Sequence, residues 1–449
     1  NIAHEGFADQ CIYIGHFFLK DLMSETEEAR ILRKIVLEDD EIKHINNTPE
    51  RELKKIHSGK EFEIRKNKVA PRIELLNNVA RVRKNAAWEW DAKLRKIHNK
   101  ADAMFKNPST INSDVVRELM EEYENYLSGI DMNQPYADDL KLEDNEVVCY
   151  DSMEYAPTHE LPFFAGGLGA LAGDHLRASS DLLPQGKFIA IGPHYRLGYL
   201  KQRISMNTNW QEEEKDPVRV VVEKFGDIVK DQNGEDIVIS LPMPGGKTVY
   251  AKAWKLEVGR TIFYVLTSDI RENDENPDYK YYLDKTYASN EEKRLVQEYI
   301  VGVGGERLLE RLGLESRVLH LNEGHVAFAV LEKARRLLKK KIELINQETG
   351  LLFDINNLST MPQEMKDKYK LNLIDALKAV RGSVGFTSHT PVTAGNQTFQ
   401  TYIAEKYLDA YLKTFSAGFS EINFAPIVEG NRFHMTEFAL CFTNFFNGV

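Results

Sequence analysis

A glycine-rich segment, Gly166-Gly167-Leu168-Gly169, precedes a predicted helix near the middle of the chain. Glycine carries no side chain, so a ligand can approach the backbone closely, and the first amides of a helix are free to donate hydrogen bonds to an anion. The segment therefore predicts main-chain binding of phosphate or of a sugar. Short glycine patterns also occur in ordinary turns that let a helix pack, and the segment alone leaves that interpretation open.

Two further segments place histidines at the ends of predicted strands. One is His320-Leu-Asn-Glu-Gly-His325, and the other is Ser388-His389-Thr390. Ligands of open α/β sheets bind outside the carboxyl ends of the strands, where imidazole and carboxylate groups are placed to hold sugar hydroxyls. The spacing is not the His-Glu-x-x-His of a zinc helix, so no metal site is predicted. A single histidine at such a strand end is equally often structural.

A fourth segment, Gly302-Val-Gly304-Gly305-Glu-Arg307, is close to a dinucleotide-binding fingerprint. The third glycine of that fingerprint is replaced by Arg307, and the pattern lies inside a predicted helix instead of following a strand. We interpret it as close packing between helices.

Strands and helices alternate between about residue 146 and residue 390. This alternation predicts right-handed crossovers and a parallel sheet in an α/β fold. The stretch over about 218–268 differs, because alternating runs separated by turns predict an antiparallel meander there. The predicted strands are 147–150, 187–192, 317–321 and 384–387, the predicted helices are 291–312, 326–345 and 371–381, and the runs of the meander are 218–225, 237–241, 248–258 and 261–267.

Two segments precede this α/β region. Residues 1–70 are dense in charge and predict a charged helical extension that carries no recognisable chemistry. Residues 71–145 predict a helical preface, in which apolar spacing continues through Trp88 and Trp90 and a second helix is capped by Ser113.

The composition excludes several classes of protein. The chain of 449 residues has a net charge of −11, which argues against nucleic acid as a main partner. Its three cysteines, Cys11, Cys149 and Cys441, are far apart, so neither a disulfide framework nor a thiolate zinc site is expected, and a cytoplasmic location fits. No apolar run reaches the roughly 18 residues of a membrane span.

Taken together, these segments resemble the α-glucan phosphorylase family, which includes glycogen, starch and maltodextrin phosphorylases. The resemblance extends over roughly residues 72–449 and rests on several separate motifs in the right order. They are Val82-Arg-Lys-Asn-Ala-Ala-Trp88-Glu-Trp90, Ser152-Met-Glu-Tyr155, Leu161-Pro162, Gly166-Gly-Leu-Gly169, Leu171-Ala-Gly-Asp-His-Leu176, Tyr195-Arg196, Gln202-Arg-Ile204, Arg294-Leu-Val-Gln-Glu298, His320-Leu-Asn-Glu-Gly-His325 and Phe386-Thr-Ser-His-Thr-Pro391.

The resemblance implies a fold and a reaction. The family's fold is a two-domain glycosyltransferase (GT-B) fold, and residues 146–449 are expected to be its first, Rossmann-like domain, with the helical preface and the antiparallel β-rich insert. The implied reaction is reversible transfer of a glucosyl unit from the end of an α-1,4-glucan to inorganic phosphate, which gives glucose 1-phosphate. Glucan, phosphate and glucose 1-phosphate are then the partners, and the sequence leaves open whether the chain forms a homo-oligomer.

The resemblance also assigns roles to residues. Gly167 would donate its N–H to the substrate phosphate, Leu168 would donate its N–H to the glucosyl unit, and His389 would hold the same sugar. Glu323, with His325 beside it, would line the acceptor subsite. The remaining expected substrate-binding residues are Glu154, Gly166, Gly169, Arg294 and Asn322.

The family uses pyridoxal phosphate, whose 5′-phosphate relays a proton to the substrate phosphate. The family's cofactor lysine would lie beyond Val449, so the chain is expected to be part of a longer protein and to be inactive alone. His159-Glu160 stand one position late relative to the family pattern, which leaves those two residues without an assigned role. Two alternatives remain: a non-catalytic glucan-binding or scaffold module related to phosphorylases, and a sugar-nucleotide glycosyltransferase domain of the same fold.

Overall fold

A computed structural model describes residues 74–107, 110–129, 141–197, 202–204, 211–213, 222–288, 290–390 and 396–449. The predicted charged extension over 1–70 lies outside the described residues. The chain divides into two compact units, and the boundary follows Gly129. None of the helices in the described residues combines the length and the apolar composition that crossing a bilayer requires.

The first unit is helical. Its helices are α1 over 74–84, α2 over Ala92–Lys106 and α3 over Ser113–Ser128. The predicted helical run through Trp88 and Trp90 is wrong in one respect, because Asn85 ends α1 and caps a separate 3-10 turn over Ala86–Glu89. The cap of α3 is Asn112 instead of Ser113, since the Asn112 side chain accepts from the amides of the first turn.

The second unit is a mixed α/β domain. Its strands are β1 Glu146–Ser152, β2 Phe188–Pro193, β3 Gln202–Ile204, β4 Gln211–Glu213, β5 Gly226–Ile228, β6 Ile239–Met243, β7 Lys247–Val258, β8 Thr261–Thr267, β9 Glu315–Asn322, β10 Val384–Ser388, β11 Thr398–Gln400, β12 Val428–Glu429, β13 Arg432–His434 and β14 Phe445–Gly448. Its helices are α4 Gly167–Leu182, α5 Glu291–Arg311, α6 Ala329–Thr349, α7 Gln363–Tyr369, α8 Leu373–Val380, α9 Thr401–Leu412 and α10 Met435–Cys441.

A mainly parallel sheet forms the centre of the second unit. Within the described residues nine strands join it, in the order β14-β10-β9-β1-β2-β8-β7-β5, with β6 paired to β7. All pairs from β14 to β8 are parallel, as the alternation of elements predicts. The strands at the middle are apolar along both faces; every residue of β2 and β8 is buried, as is usual where helices cover a parallel sheet on both sides.

The predicted meander over 218–268 is only partly antiparallel. β7 pairs antiparallel with β5, β6 and β8, but β8 also pairs parallel with β2, so this stretch is continuous with the main sheet. The run predicted as a strand over 218–225 contains a 3-10 turn at Val222–Lys224, and 218–221 lie outside the described residues. β8 is buried along its whole length and lies inside the sheet, where β2 on one edge and β7 on the other pair its backbone groups.

The glycine pattern of α5 serves close packing, as the sequence indicates. A Cβ on Gly302 would lie 2.8 Å from the backbone nitrogen of Ala329, the first residue of α6. A Cβ on Gly305 would lie 2.8 Å from Cγ2 of Ile191 in β2. These contacts let α5 lie directly against both α6 and the sheet. α6 begins three residues later than predicted, because Gly324–Val326 form a separate 3-10 turn.

Candidate functional site

Three neighbouring parallel strands bring the predicted residues to one edge of the sheet. In the registers of β1, β9 and β10, Asn322 lies beside both Ser152 and Thr387. The loops that follow these strands carry Glu154, Glu323 and His389. This edge is the carboxyl end of the strands, the usual ligand position in an open α/β sheet.

Side chains from the three loops form a continuous chain of hydrogen bonds. His389 Nε2 lies 2.6 Å from Asn322 Oδ1. Asn322 Nδ2 donates to Ser152 Oγ at 3.0 Å, and Ser152 Oγ donates to the Glu154 carbonyl at 3.0 Å. Ser152 and Asn322 are fully buried. The positions of the histidine loop and of the first loop are therefore linked through buried polar groups.

The Glu323 carboxylate holds the loop that carries His389 and Thr390. Its Oε1 accepts from the backbone N–H of His389 at 2.6 Å and from Thr390 Oγ1 at 3.3 Å. Glu323 has a φ of +72°, which is rare for a residue with a side chain and indicates a backbone held in place by its surroundings. The first task of this carboxylate is thus to position His389.

The Glu154 carboxylate holds the glycine loop in the same way. Its Oε2 accepts from the amides of Ala165 at 3.1 Å and Gly166 at 3.2 Å. Gly167 and Leu168 begin α4, where amides of the first turn lack acceptors inside the helix. The loop thus presents its next amides at the positive end of the α4 dipole.

The glycines of this loop divide into two kinds. A Cβ on Gly166 or Gly167 would meet nothing within 4 Å, and both residues are exposed. A Cβ on Gly169 would overlap the side chain of Phe164, and one on Gly173 would overlap the carbonyl of Ala156. Neither Gly166 nor Gly167 has a positive φ, so these two are open to a ligand because of space and not because of a left-handed backbone.

Arg294 and His325 lie in a buried group beside Glu154. Arg294 pairs with Glu298 at 2.7 Å, and its guanidinium lies 3.9 Å from the centre of the Tyr287 ring. The Tyr287 side chain lies near the Glu154 carboxylate, and the Tyr287 and His325 rings lie 5.9 Å apart between centroids. Tyr287 also has a positive φ of 52°, so two of the strained backbone positions of the described residues lie at this site.

The imidazoles of this region are held uncharged near neutral pH. Burial lowers the pKa of His325 well below its usual value, and the Arg294 charge lowers it further. Burial also lowers the pKa of His389, although the Glu323 carboxylate opposes the shift. Glu298 is buried without access to water, and this raises its pKa to about 7 in spite of Arg294.

No protein-family model matches the chain, but curated proteins do. Maltodextrin phosphorylase of Thermococcus litoralis is 31% identical over 387 residues, which cover 81% of this chain and 41% of the relative. Over these ranges the chain is similar to phosphorylases. Glycogen phosphorylase of Mycobacterium tuberculosis is 32% identical over 271 residues, 58% of this chain and 27% of the relative. Glycogen phosphorylase of Aquifex aeolicus is 28% identical over 374 residues, 73% of this chain and 50% of the relative.

The chain thus spans at most half the length of these phosphorylases. The mixed α/β fold with a mainly parallel sheet fits this family. The roles that the sequence assigns to individual residues toward phosphate and sugar stay predictions.

The structure brings together the residues predicted from the phosphorylase motifs, but their contacts differ. Gly167 is open, Leu168 is half-buried, Gly169 is packed, and Glu154, Asn322, Glu323 and Arg294 are engaged with other protein groups. His320, which begins its motif, lies apart from these contacts, since its Nε2 is 2.7 Å from Thr387 Oγ1. Sequence reasoning assigned no role to Ser152, Thr390 or Tyr287. Ser152 and Thr390 stand in quoted motifs, whereas nothing in the sequence indicates Tyr287.

Proposed function

We propose that this chain provides the phosphate and glucosyl side of the reaction site of an α-glucan phosphorylase. The reaction is reversible transfer of a terminal glucosyl unit from an α-1,4-glucan to inorganic phosphate, giving glucose 1-phosphate. The observation that carries the proposal is the open start of α4 at Gly166 and Gly167, joined through Glu154 to the buried chain of hydrogen bonds that ends at His389. Under the same proposal, the sheet is the first Rossmann-like domain of a GT-B fold, β5–β7 are its insert, and the unit that precedes it is the helical preface.

Fixed dipoles suit this chemistry. The glucosyl unit becomes oxocarbenium-like in the transition state, beside an anionic phosphate. The Gly167 amide donates to the phosphate and the Leu168 amide to the glucosyl unit, without the reorganisation that water molecules would need. The loop cannot drift, because Glu154 holds its two preceding amides.

His389 contacts the same glucosyl unit from the opposite loop. Its backbone is held by Glu323 and its ring by Asn322. Uncharged imidazoles add no positive charge that would compete with the helix dipole for the phosphate. His325 and Arg294 both contact the ring of Tyr287, and through Tyr287 they support the part of the site that contains Glu154.

The phosphorylase family implies pyridoxal phosphate. Among the described residues the two buried lysines are Lys252 and Lys333. Lys252 is paired with Asp236 and Glu272, each at 3.0 Å, and Lys333 donates to the carbonyl and the hydroxyl of Ser316. Neither fits the lysine that would bind the cofactor, and we derive no step through it from this chain.

The complete gene product tests the proposal. Maltodextrin and inorganic phosphate are supplied, and release of glucose 1-phosphate is measured, together with maltodextrin binding by calorimetry. We expect release that depends on both substrates. Binding of maltodextrin without any glucose 1-phosphate would support the non-catalytic glucan-binding module and contradict the proposed reaction.

A further inference from the structure

We infer that Ser152, acting through the side-chain amide of Asn322, determines which ring nitrogen of His389 carries the proton. Ser152 and Asn322 are then positioning residues for the His389 imidazole. The inference rests on the proposed function in one respect only, namely that His389 faces the ligand. The arrangement of protons follows from the hydrogen bonds alone.

The first step is the single proton of the Ser152 hydroxyl. Ser152 Oγ has three polar neighbours: the Glu154 carbonyl at 3.0 Å, the Glu154 amide at 3.2 Å and Asn322 Nδ2 at 3.0 Å. A hydroxyl donates one hydrogen bond and accepts two. The Ser152 hydroxyl donates its one hydrogen bond to the buried carbonyl of Glu154, and the Glu154 amide donates to one lone pair of the hydroxyl oxygen. Only a lone pair remains for Asn322.

The second step is the orientation of the Asn322 amide. Because Ser152 offers Asn322 an acceptor, the NH2 group of Asn322 must face Ser152 and its Oδ1 must face His389. If the amide were reversed, Asn322 Oδ1 would face Ser152 and would need the hydrogen bond that the Ser152 hydroxyl donates. The Glu154 carbonyl would then lose that hydrogen bond. Leaving a buried polar group unpaired is costly, and both side chains are fully buried, so no water replaces the lost bond.

The third step concerns the ring. Asn322 Oδ1 can only accept, and it lies 2.6 Å from His389 Nε2. In the neutral ring the proton is therefore on Nε2, and Nδ1 keeps its lone pair. Burial lowers the pKa of His389, so the ring is neutral above its usual titration range and its tautomer is well defined.

Ser152 also links the two loops of the site. Through Asn322 it orients the His389 ring, and through its two bonds to the Glu154 backbone it supports the residue whose carboxylate holds Ala165 and Gly166. The buried Ser152 hydroxyl thus determines the position of the His389 ring proton and also supports the glycine loop through Glu154.

His320 offers a control inside the same molecule. Its Nε2 lies 2.7 Å from Thr387 Oγ1, and that hydroxyl donates its hydrogen bond to Asn447 Oδ1 at 2.7 Å. His320 is therefore also expected to carry its proton on Nε2. This second arrangement does not involve Ser152, so a change at Ser152 should leave His320 unaffected.

The test is long-range proton–nitrogen NMR on protein with ¹⁵N-labelled histidine, at pH 7.5. His389→Gln and His320→Gln assign the two ring signals. We expect protonated Nε2 and unprotonated Nδ1 for both rings in the unmodified chain. A His389 ring protonated mainly on Nδ1 would overturn the inference.

Ser152→Ala tests the role of the hydroxyl. We expect His389 to become a mixture of the two tautomers, because the Asn322 amide is then free to reverse, while His320 keeps its signal. Ser152→Thr, which retains the hydroxyl, should restore the tautomer. An unchanged His389 signal in folded Ser152→Ala would refute the role of Ser152.

Asn322→Asp tests the contact between residue 322 and the His389 ring independently of Ser152. A carboxylate presents oxygen on both sides, so His389 should keep its proton on Nε2 and its NMR titration midpoint should rise. A switch to Nδ1 would contradict the inference. An active enzyme with the wrong tautomer would refute this inference alone, whereas the expected tautomer in a protein that releases no glucose 1-phosphate would refute the proposed function alone.

Discussion

At the residue scale, the space beside Gly167 matters more than its backbone angles. Gly169 and Gly173 in the same segment are packed against protein atoms, and Gly166 and Gly167 face open space. A glycine that no neighbouring atom requires, placed at the start of a helix, is the arrangement expected where an anion approaches the backbone.

Gly167→Val places a branched side chain in that open space. We expect turnover to fall by about 10²–10³-fold, the usual effect of losing one preorganised donor. Glucose 1-phosphate formation by the complete gene product measures it. Gly382→Val is the matched control, because Gly382 is also exposed, has open space and lies at the opposite end of β10. Near-normal turnover in Gly167→Val would reduce the glycine loop to a structural turn.

His320 carries a prediction about pH. Burial lowers its pKa from 6.5 to about 4, so the unfolded chain binds this proton more readily than the folded chain. The free energy of unfolding that this histidine contributes is therefore greatest above pH 6.5 and is lost as the pH falls toward 4. In His320→Gln, the free energy of unfolding measured in urea should decline less steeply between pH 7 and 5. The difference in slope should correspond to the uptake of up to one proton on unfolding. Equal slopes in both proteins would contradict the assigned shift.

At the element scale, glycines let α5 lie close to its neighbours. Gly302 and Gly304, two residues apart, differ in the space available for a side chain. A Cβ on Gly302 would lie 2.8 Å from the Ala329 backbone, which cannot move aside, whereas one on Gly304 would make ordinary contacts at 3.5 Å with Leu266. The packing of α5 on α6 thus depends on one glycine much more than on the other.

Alanine at these two positions should therefore have opposite effects. Gly304→Ala should raise the free energy of unfolding by up to about 1 kcal/mol, because alanine favours the helix. Gly302→Ala should lower it by about 1–3 kcal/mol, the usual cost of overpacking. Urea unfolding of both variants makes the comparison. Equal stabilisation by both would show that α6 can move away from α5 freely.

At the scale of the whole molecule, the division after Gly129 leaves the sheet with a core of its own. Residues 1–70 are dense in charge, a composition typical of a solvated segment outside a core. We expect a chain that starts at Pro71 to unfold within about 2–4 °C of the full chain, the shift that 1 kcal/mol produces in larger domains. Calorimetry measures the midpoint, and an insoluble or much less stable product would place 1–70 in the core.

Local pattern was enough to predict several elements. The apolar runs before His320 and His389 predict β9 and β10, and the helix predicted over 291–312 agrees with α5 to within one residue. The motifs were enough to indicate the phosphorylase family. These features depend on neighbours in sequence, so periodicity and residue type reveal them.

The tertiary structure alone decided which side chains share a hydrogen bond. β8 pairs parallel with β2 in the main sheet, and Asn322 meets Ser152 and His389 because β1, β9 and β10 are neighbours in the sheet. Ser152 and Asn322 are 170 residues apart in the chain, and Tyr287 comes from a turn with no motif. Contacts over such separations depend on strand order and burial, which no local pattern contains.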